Sequence, residues 1–105
     1  MDDKEFSALA DAALARIEAA FDACGADLDV EVKPGGVLEV EFADGSKIII
    51  NRHGVAREIW VAARSGGFHF RHQDGIWCDT RDGAELMVKL SALAIRQAGE
   101  EVDLT

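Results

Sequence analysis

DLDVEVKPGGVLEVEFADGSKIII (residues 27–50) decides the fold. Within it Leu28, Val30 and Val32 alternate with Asp27, Asp29 and Glu31, the period-two pattern of a strand with one buried face. LEVEF at 38–42 alternates again, and KIII at 47–50 resumes after Asp44-Gly45, a hairpin signal. Lys33-Pro34-Gly35-Gly36 supplies the first turn and holds the only proline of the chain. Connections this short join antiparallel neighbours only.

Working outward, REIWVAAR (57–64), FHFR (68–71) and IWCD (76–79) read as three more strands. Ser65-Gly66-Gly67 and Asp74-Gly75 are the turns between them. Upstream, Phe6, Leu9, Ala10, Ala13, Leu14, Ile17, Ala20 and Phe21 follow helical spacing over residues 4–23, with Gly25 as the stop. Downstream, a second helix is expected from Asp82, with Glu85 completing a capping box. Leu86, Leu90, Leu93, Ala94 and Ile95 form its buried stripe, and Gly99 ends it. The tail EEVDLT is a docking segment or a frayed end. The expectation is an α+β, two-layer sandwich: N- and C-terminal helices on one face of an antiparallel sheet of about six strands, the other face meeting water. The 105 residues make a single domain, 1–105, with no repeat or linker.

Charge narrows the functional classes. Twenty acids against eleven bases give −9, and residues 1–31 alone hold nine acids and two bases. A chain without a Lys/Arg cluster does not suit nucleic acid or an anionic membrane surface. It suits cations, or a partner with a basic face. Cys24 and Cys78 stand far apart without a CxxC motif, so neither a zinc site nor a disulfide scaffold is expected. The acidic start MDDKEF does not suit a signal or transit peptide, and no apolar run reaches the roughly 20 residues of a membrane span. The expected location is the cytoplasm.

On a helical wheel Glu18 and Asp22 fall within about 20° of Asp11, opposite the apolar face. Asp3 lies near the same edge, and Asp27, Asp29 and Glu31 would extend the row if the first strand borders the helix. Like charges so placed repel. A multivalent cation would relieve the repulsion, and carboxylates suit Mg²⁺, Ca²⁺, Mn²⁺ or iron. An open row encloses nothing, so binding there would be weak, multiple and poorly selective. The alternative is a solvated face that keeps the chain soluble.

Alternation in REIWVAAR turns Ile59, Val61 and Ala63 to the core and Trp60 to solvent, near Arg57 and Arg64 and with Asn51 upstream. Such a tryptophan is either a protein-binding hot spot or a cover for the sheet. His69 and His72, three apart on a strand, fall on opposite faces and cannot share a metal. No Ser-His-Asp or Cys-His set, phosphate loop or dinucleotide motif is present.

Taken together, GSKIIINR (45–52), EIWVAARSGGFHF (58–70) and DGIWCDTRDG (74–83), with the acidic first helix and strand, resemble the frataxin family and in particular its bacterial CyaY branch. The resemblance spans nearly the whole chain. It implies an α–β sandwich, iron binding through Asp3, Asp11, Glu18, Asp22, Asp27, Asp29 and Glu31, and a role in iron–sulfur cluster assembly. It also implies docking of the acidic ridge on a basic face of the cysteine desulfurase within the scaffold machinery, with Asn51 and Trp60 on the matching sheet surface. Glu18, Asp22, Asn51, Arg57, Trp60 and Arg64 are thus the candidate partner-binding residues.

Two departures stand out. His53-Gly54-Val55 replaces the family's Gln-x-Pro, and Ala19 and Ala23 occupy places where the family's first helix often carries acids. His53, beside Val55, Ile59 and Trp60, is a candidate haem ligand. An iron oxidase needs an enclosed histidine and carboxylate site, which an exposed ridge does not offer, so a binding protein rather than an enzyme is expected. A monomer is the default, with iron-bridged oligomers as the alternative.

Overall fold

Asp2 starts the first helix by accepting a hydrogen bond from the Glu5 backbone N–H at 2.8 Å. In the computed structural model, which describes residues 1–104, α1 (Asp3–Ala23) then runs for 21 residues. Its buried line is Phe6, Ala10, Leu14, Ile17 and Phe21, the stripe that helical spacing requires. Cys24 is the C-cap, and Gly25 follows at φ +77°, the left-handed turn that ends a helix cheaply only at glycine.

Six strands follow: β1 (Leu28–Lys33), β2 (Val37–Phe42), β3 (Lys47–His53), β4 (Glu58–Ala63), β5 (Gly66–Gln73) and β6 (Ile76–Asp79). They pair antiparallel in the order β1-β2-β3-β4-β5-β6, each beside its sequence neighbour. One face carries Leu38, Val40, Phe42, Ile48, Ile50, Ile59, Val61, Phe70 and Trp77, all buried. Against it lie the apolar stripes of α1 and of α2 (Leu86–Ala98), in one continuous core. Each fully buried Phe, Ile or Leu contributes about 1.5–3 kcal/mol. The two helices therefore back one face of the sheet, and the other face is open.

The ends are tied by specific contacts. Phe6 meets Trp77 edge-to-face at 6.2 Å, joining α1 to β6. Gln97 is buried near the end of α2. Its amide nitrogen donates to Ser46 Oγ at 3.0 Å and to the Lys47 carbonyl at 3.2 Å. Its carbonyl oxygen accepts from the Arg64 backbone N–H at 3.0 Å. In the tail Val102 and Leu104 are buried, so the segment docks.

Four details differ from the sequence reading. The third strand runs on to His53, because Asn51, Arg52 and His53 pair with Trp60, Ile59 and Glu58. Gly66 and Gly67 are not turn residues: they open β5 opposite Ala63 and Ala62. The second helix begins at Leu86 with Glu85 as its cap, accepting from the Met87 and Val88 backbone N–H groups. Asp82 instead pairs with Lys89 at 2.7 Å and accepts from the Ala84 N–H. Ile95 is 41% exposed, and Met87 and Gln97 take the buried places.

Candidate functional site

β1 is the outermost strand, and α1 lies against it. That arrangement meets the condition for an acidic edge. Asp11 and Asp22 are exposed along α1, with Glu18 half-buried between them. Asp11 and Glu18 line a shallow groove shared with Leu14, Val32, Lys33 and Leu38. Asp27 is exposed just before the strand. Asp29 and Glu31 alternate with the half-buried Leu28 and Val30, so they point to the open face of the sheet, away from the helices. The carboxylates thus flank the edge strand on both sides rather than forming one row.

Across the β1–β2 ladder Asp29 faces Glu41 and Glu31 faces Glu39. Like charges directly opposite destabilise a sheet. Glu39 is relieved locally: hydrogen bonds from Lys47 at 2.7 Å and Lys33 at 3.1 Å hold its carboxyl below the usual range. Glu39, and then Glu41 and Glu31, push the Lys47 ammonium up.

Two of the candidate iron carboxylates are engaged by arginines. Asp11 is bonded by the Arg52 guanidinium. Gly36 makes room for that arginine, since a Cβ there would lie 2.8 Å from Arg52 Nε. Asp3 pairs with Arg57 at 3.0 Å, at the start of α1 and about 28 Å along the helix from Asp22. Asp3 therefore belongs to a separate corner. Among the described residues, no three His, Cys, Asp or Glu side chains close around one point that could hold a metal ion. The edge is a strip of single hard donors, suited to loose cation contact.

The open face holds the second feature. Trp60 is half-buried between two imidazoles: His53 of β3 at 3.7 Å and 13°, and His69 of β5 at 4.4 Å and 9°. Its indole N–H donates to Glu58 Oε1 at 2.8 Å. Arg71 Nε donates to Glu58 Oε2 at 2.7 Å, and His69 Nδ1 lies 3.6 Å from Oε1. Glu58 is only 5% exposed. Burial pushes its carboxyl up, but the hydrogen bonds from Trp60 and Arg71 and the Arg71 charge outweigh this and hold it below its ordinary value.

Trp60 does point to the open face, yet it is not a free ring beside arginines. Arg57 and Arg64 sit beyond opposite ends of β4, about 23 Å apart along the chain direction. Arg57 bonds Asp3 and the Met1 carbonyl, and Arg64 bonds Asp44. Asn51 is directly opposite Trp60 in the ladder and half-buried.

His53, the candidate haem ligand, already has a partner inside the chain. Its Nδ1 accepts the Ala56 backbone N–H at 3.2 Å, so the neutral ring carries its proton on Nε2. A ligating Nε2 needs the opposite tautomer, so ligation there would require the Ala56 contact to open. His72 packs edge-on to Trp77 at 5.2 Å on the helix side, away from His69. Cys24 and Cys78 are unpaired and half-buried. Sequence reasoning missed Glu58. Alternation along β4 puts it on the face of Trp60, but only the β4–β5 register brings Arg71 and His69 to it.

Two helices behind a six-stranded antiparallel meander, with an acidic edge and an aromatic open face, define an α–β sandwich of frataxin-like class. The chain belongs to the frataxin family, in its CyaY branch: the model of the frataxin-like domain matches residues 1–100. It is 69% identical over 104 residues to a protein of Dechloromonas aromatica named iron-sulfur cluster assembly protein CyaY, covering 99% of each chain. Frataxin from Psychromonas ingrahamii superposes with a TM-score of 0.91 at 37% identity, over 100% of this chain and 99% of that one. Trimeric frataxin from Saccharomyces cerevisiae, complexed with ferrous iron, superposes at a TM-score of 0.68 with 26% identity, over 91% and 87% of the two chains.

Proposed function

We propose that this chain works in iron–sulfur cluster assembly as a non-enzymatic iron-binding and docking protein. Its acidic edge takes up Fe²⁺ or Fe³⁺ weakly as cargo and docks on a basic face of the cysteine desulfurase, whose output it modulates. The open sheet face around Asn51 and Trp60 completes the contact with the desulfurase and scaffold machinery. The name of the Dechloromonas relative supports the pathway, and the iron-complexed yeast frataxin supports the cargo.

One observation carries the reading. Asp29 faces Glu41 on the edge ladder, while Asp11, Glu18 and Asp22 run along the adjoining helix. A fold that places like charges opposite one another on an exposed edge gains stability from any multivalent cation or basic surface that covers them. The carboxylates stand singly along this edge, which suits loose transfer of a cation better than redox catalysis. The proposed setting is the cytoplasm, with a monomer as the working form and iron bridging as the route to larger assemblies.

The test is desulfurase affinity against salt. Wild-type binding should weaken steeply from about 50 to about 300 mM salt, where the Debye length falls below 10 Å. Glu18→Lys with Asp22→Lys should bind at least roughly ten-fold more weakly at low salt, with a flatter salt response. Equal affinity and salt response in the two proteins would refute the docking role of the edge.

A further inference from the structure

Glu58 is a carboxylate buried on the face of the sheet that the helices leave open. Burying a charge is costly unless each oxygen is satisfied, so a site of this kind demands a reason. Here both oxygens are assigned. Oε2 takes Arg71 Nε at 2.7 Å, which balances the charge. Oε1 takes the Trp60 indole N–H at 2.8 Å, with His69 Nδ1 at 3.6 Å. The ring so fixed is the middle layer of a three-ring stack drawn from three adjacent strands.

We propose that Glu58 is the positioning residue of the sheet-face docking surface: by accepting the indole N–H of Trp60 it locks that ring between His53 and His69 and presents the partner with one rigid ledge. Glu58 is too buried to offer a partner a useful contact of its own, so its effect on docking passes through the ring. Arg71 balances the charge of the carboxylate from its other oxygen. Without the acceptor, the N–H of a half-buried indole turns toward water and the stack loosens. A ring ordered before encounter loses less freedom on binding, which is how the positioning raises affinity. The docking half of this inference rests on the function proposed above; the locking of the ring is a property of the free protein.

The experiment follows the Trp60 indole N–H by ¹H–¹⁵N NMR, with the buried Trp77 indole as internal reference, and measures desulfurase affinity alongside. In the wild-type protein the Trp60 N–H should be protected from hydrogen exchange; exchange as fast as a free indole overturns the proposal without any variant. Glu58→Ala should speed that exchange and weaken desulfurase binding roughly ten-fold. Glu58→Gln keeps an acceptor oxygen and should stay within about three-fold of wild type on both counts. Glu58→Met, which preserves volume but not the acceptor, replaces the alanine variant if that one does not fold. Unchanged exchange in Glu58→Ala or Glu58→Met, or equal damage from Glu58→Gln, contradicts the positioning role. Faster exchange with unaltered affinity, matched by unaltered affinity in Trp60→Ala, overturns the docking half and with it the sheet-face part of the proposed function.

Discussion

Arg52, near the end of β3, bonds the carboxylate of Asp11 on α1. A residue expected to serve as an iron ligand is therefore neutralised by the fold itself. The pairing follows from sheet geometry: Arg52 alternates onto the helix side, and Gly36 leaves its guanidinium the space to reach across. Iron or a partner must compete with this arginine at Asp11 but not at Asp22.

Arg52→Ala should accordingly strengthen cation binding at the helix side of the edge. The loss of stability should stay within about 1 kcal/mol, since Asp11 is exposed and solvent screens the pair. Calorimetric titration with Fe²⁺ under anaerobic conditions, beside a urea denaturation curve, checks both. Weaker cation binding in the variant would show that the arginine orders the site instead of competing for it.

Burial sets a residue of β5 apart from one of α2. Phe70 is fully buried, and Phe70→Ala should cost about 3–5 kcal/mol through lost burial and a cavity. Ile95 is 41% exposed, and Ile95→Ala should stay within about 0.5 kcal/mol. Urea midpoints at a constant slope measure both. A large cost at Ile95 would mean that the helix is turned by a residue relative to the core.

Stability should fall in acid partly through Glu58. Its carboxyl is held below the ordinary value of 4.5, so the folded state resists protonation more than the unfolded chain does. The stabilisation is complete above that ordinary value and is lost as pH falls through the lowered folded one. Melting temperature against pH should be flatter below about pH 5 in Glu58→Gln than in wild type. Some dependence should persist, because Glu39 and Asp82 are lowered by their lysine partners as well. Parallel curves for the two proteins would contradict the assignment.

Hemin offers a separate check on His53. With Nδ1 accepting from Ala56, this ring should not ligate the iron. Any Soret change on adding hemin should be the same in wild type and in His53→Ala. A change abolished by the substitution would require the Ala56 contact to open.

Much of the architecture was legible because hydrophobic alternation and turn chemistry act over a few residues. The strands at 28–33 and 38–42, the Asp44-Gly45 hairpin and the apolar stripe of α1 needed no long-range information. Element ends were harder. Asp82 is the commoner capping type, yet it bonds Lys89 and the Ala84 N–H, and Glu85 takes the cap. Gly66 and Gly67 look like a turn until Ala63 and Ala62 pair with them. The site divided in the same way. The acidic residues could be counted from the chain, but which faced the helix and which the open sheet depended on strand pairing. The stack of His53, Trp60 and His69 joins three strands, so cross-strand register alone creates it.

Anaerobic addition of Fe²⁺ to ¹⁵N-labelled protein, followed by backbone NMR, addresses the acidic edge most directly. The cross-peaks of Glu18, Asp22, Asp27, Asp29 and Glu31 should shift or broaden first, with Asp11 following and Asp3 last. If those residues stay silent while cross-peaks elsewhere respond, the edge is only a solvated surface and the proposed iron site is wrong.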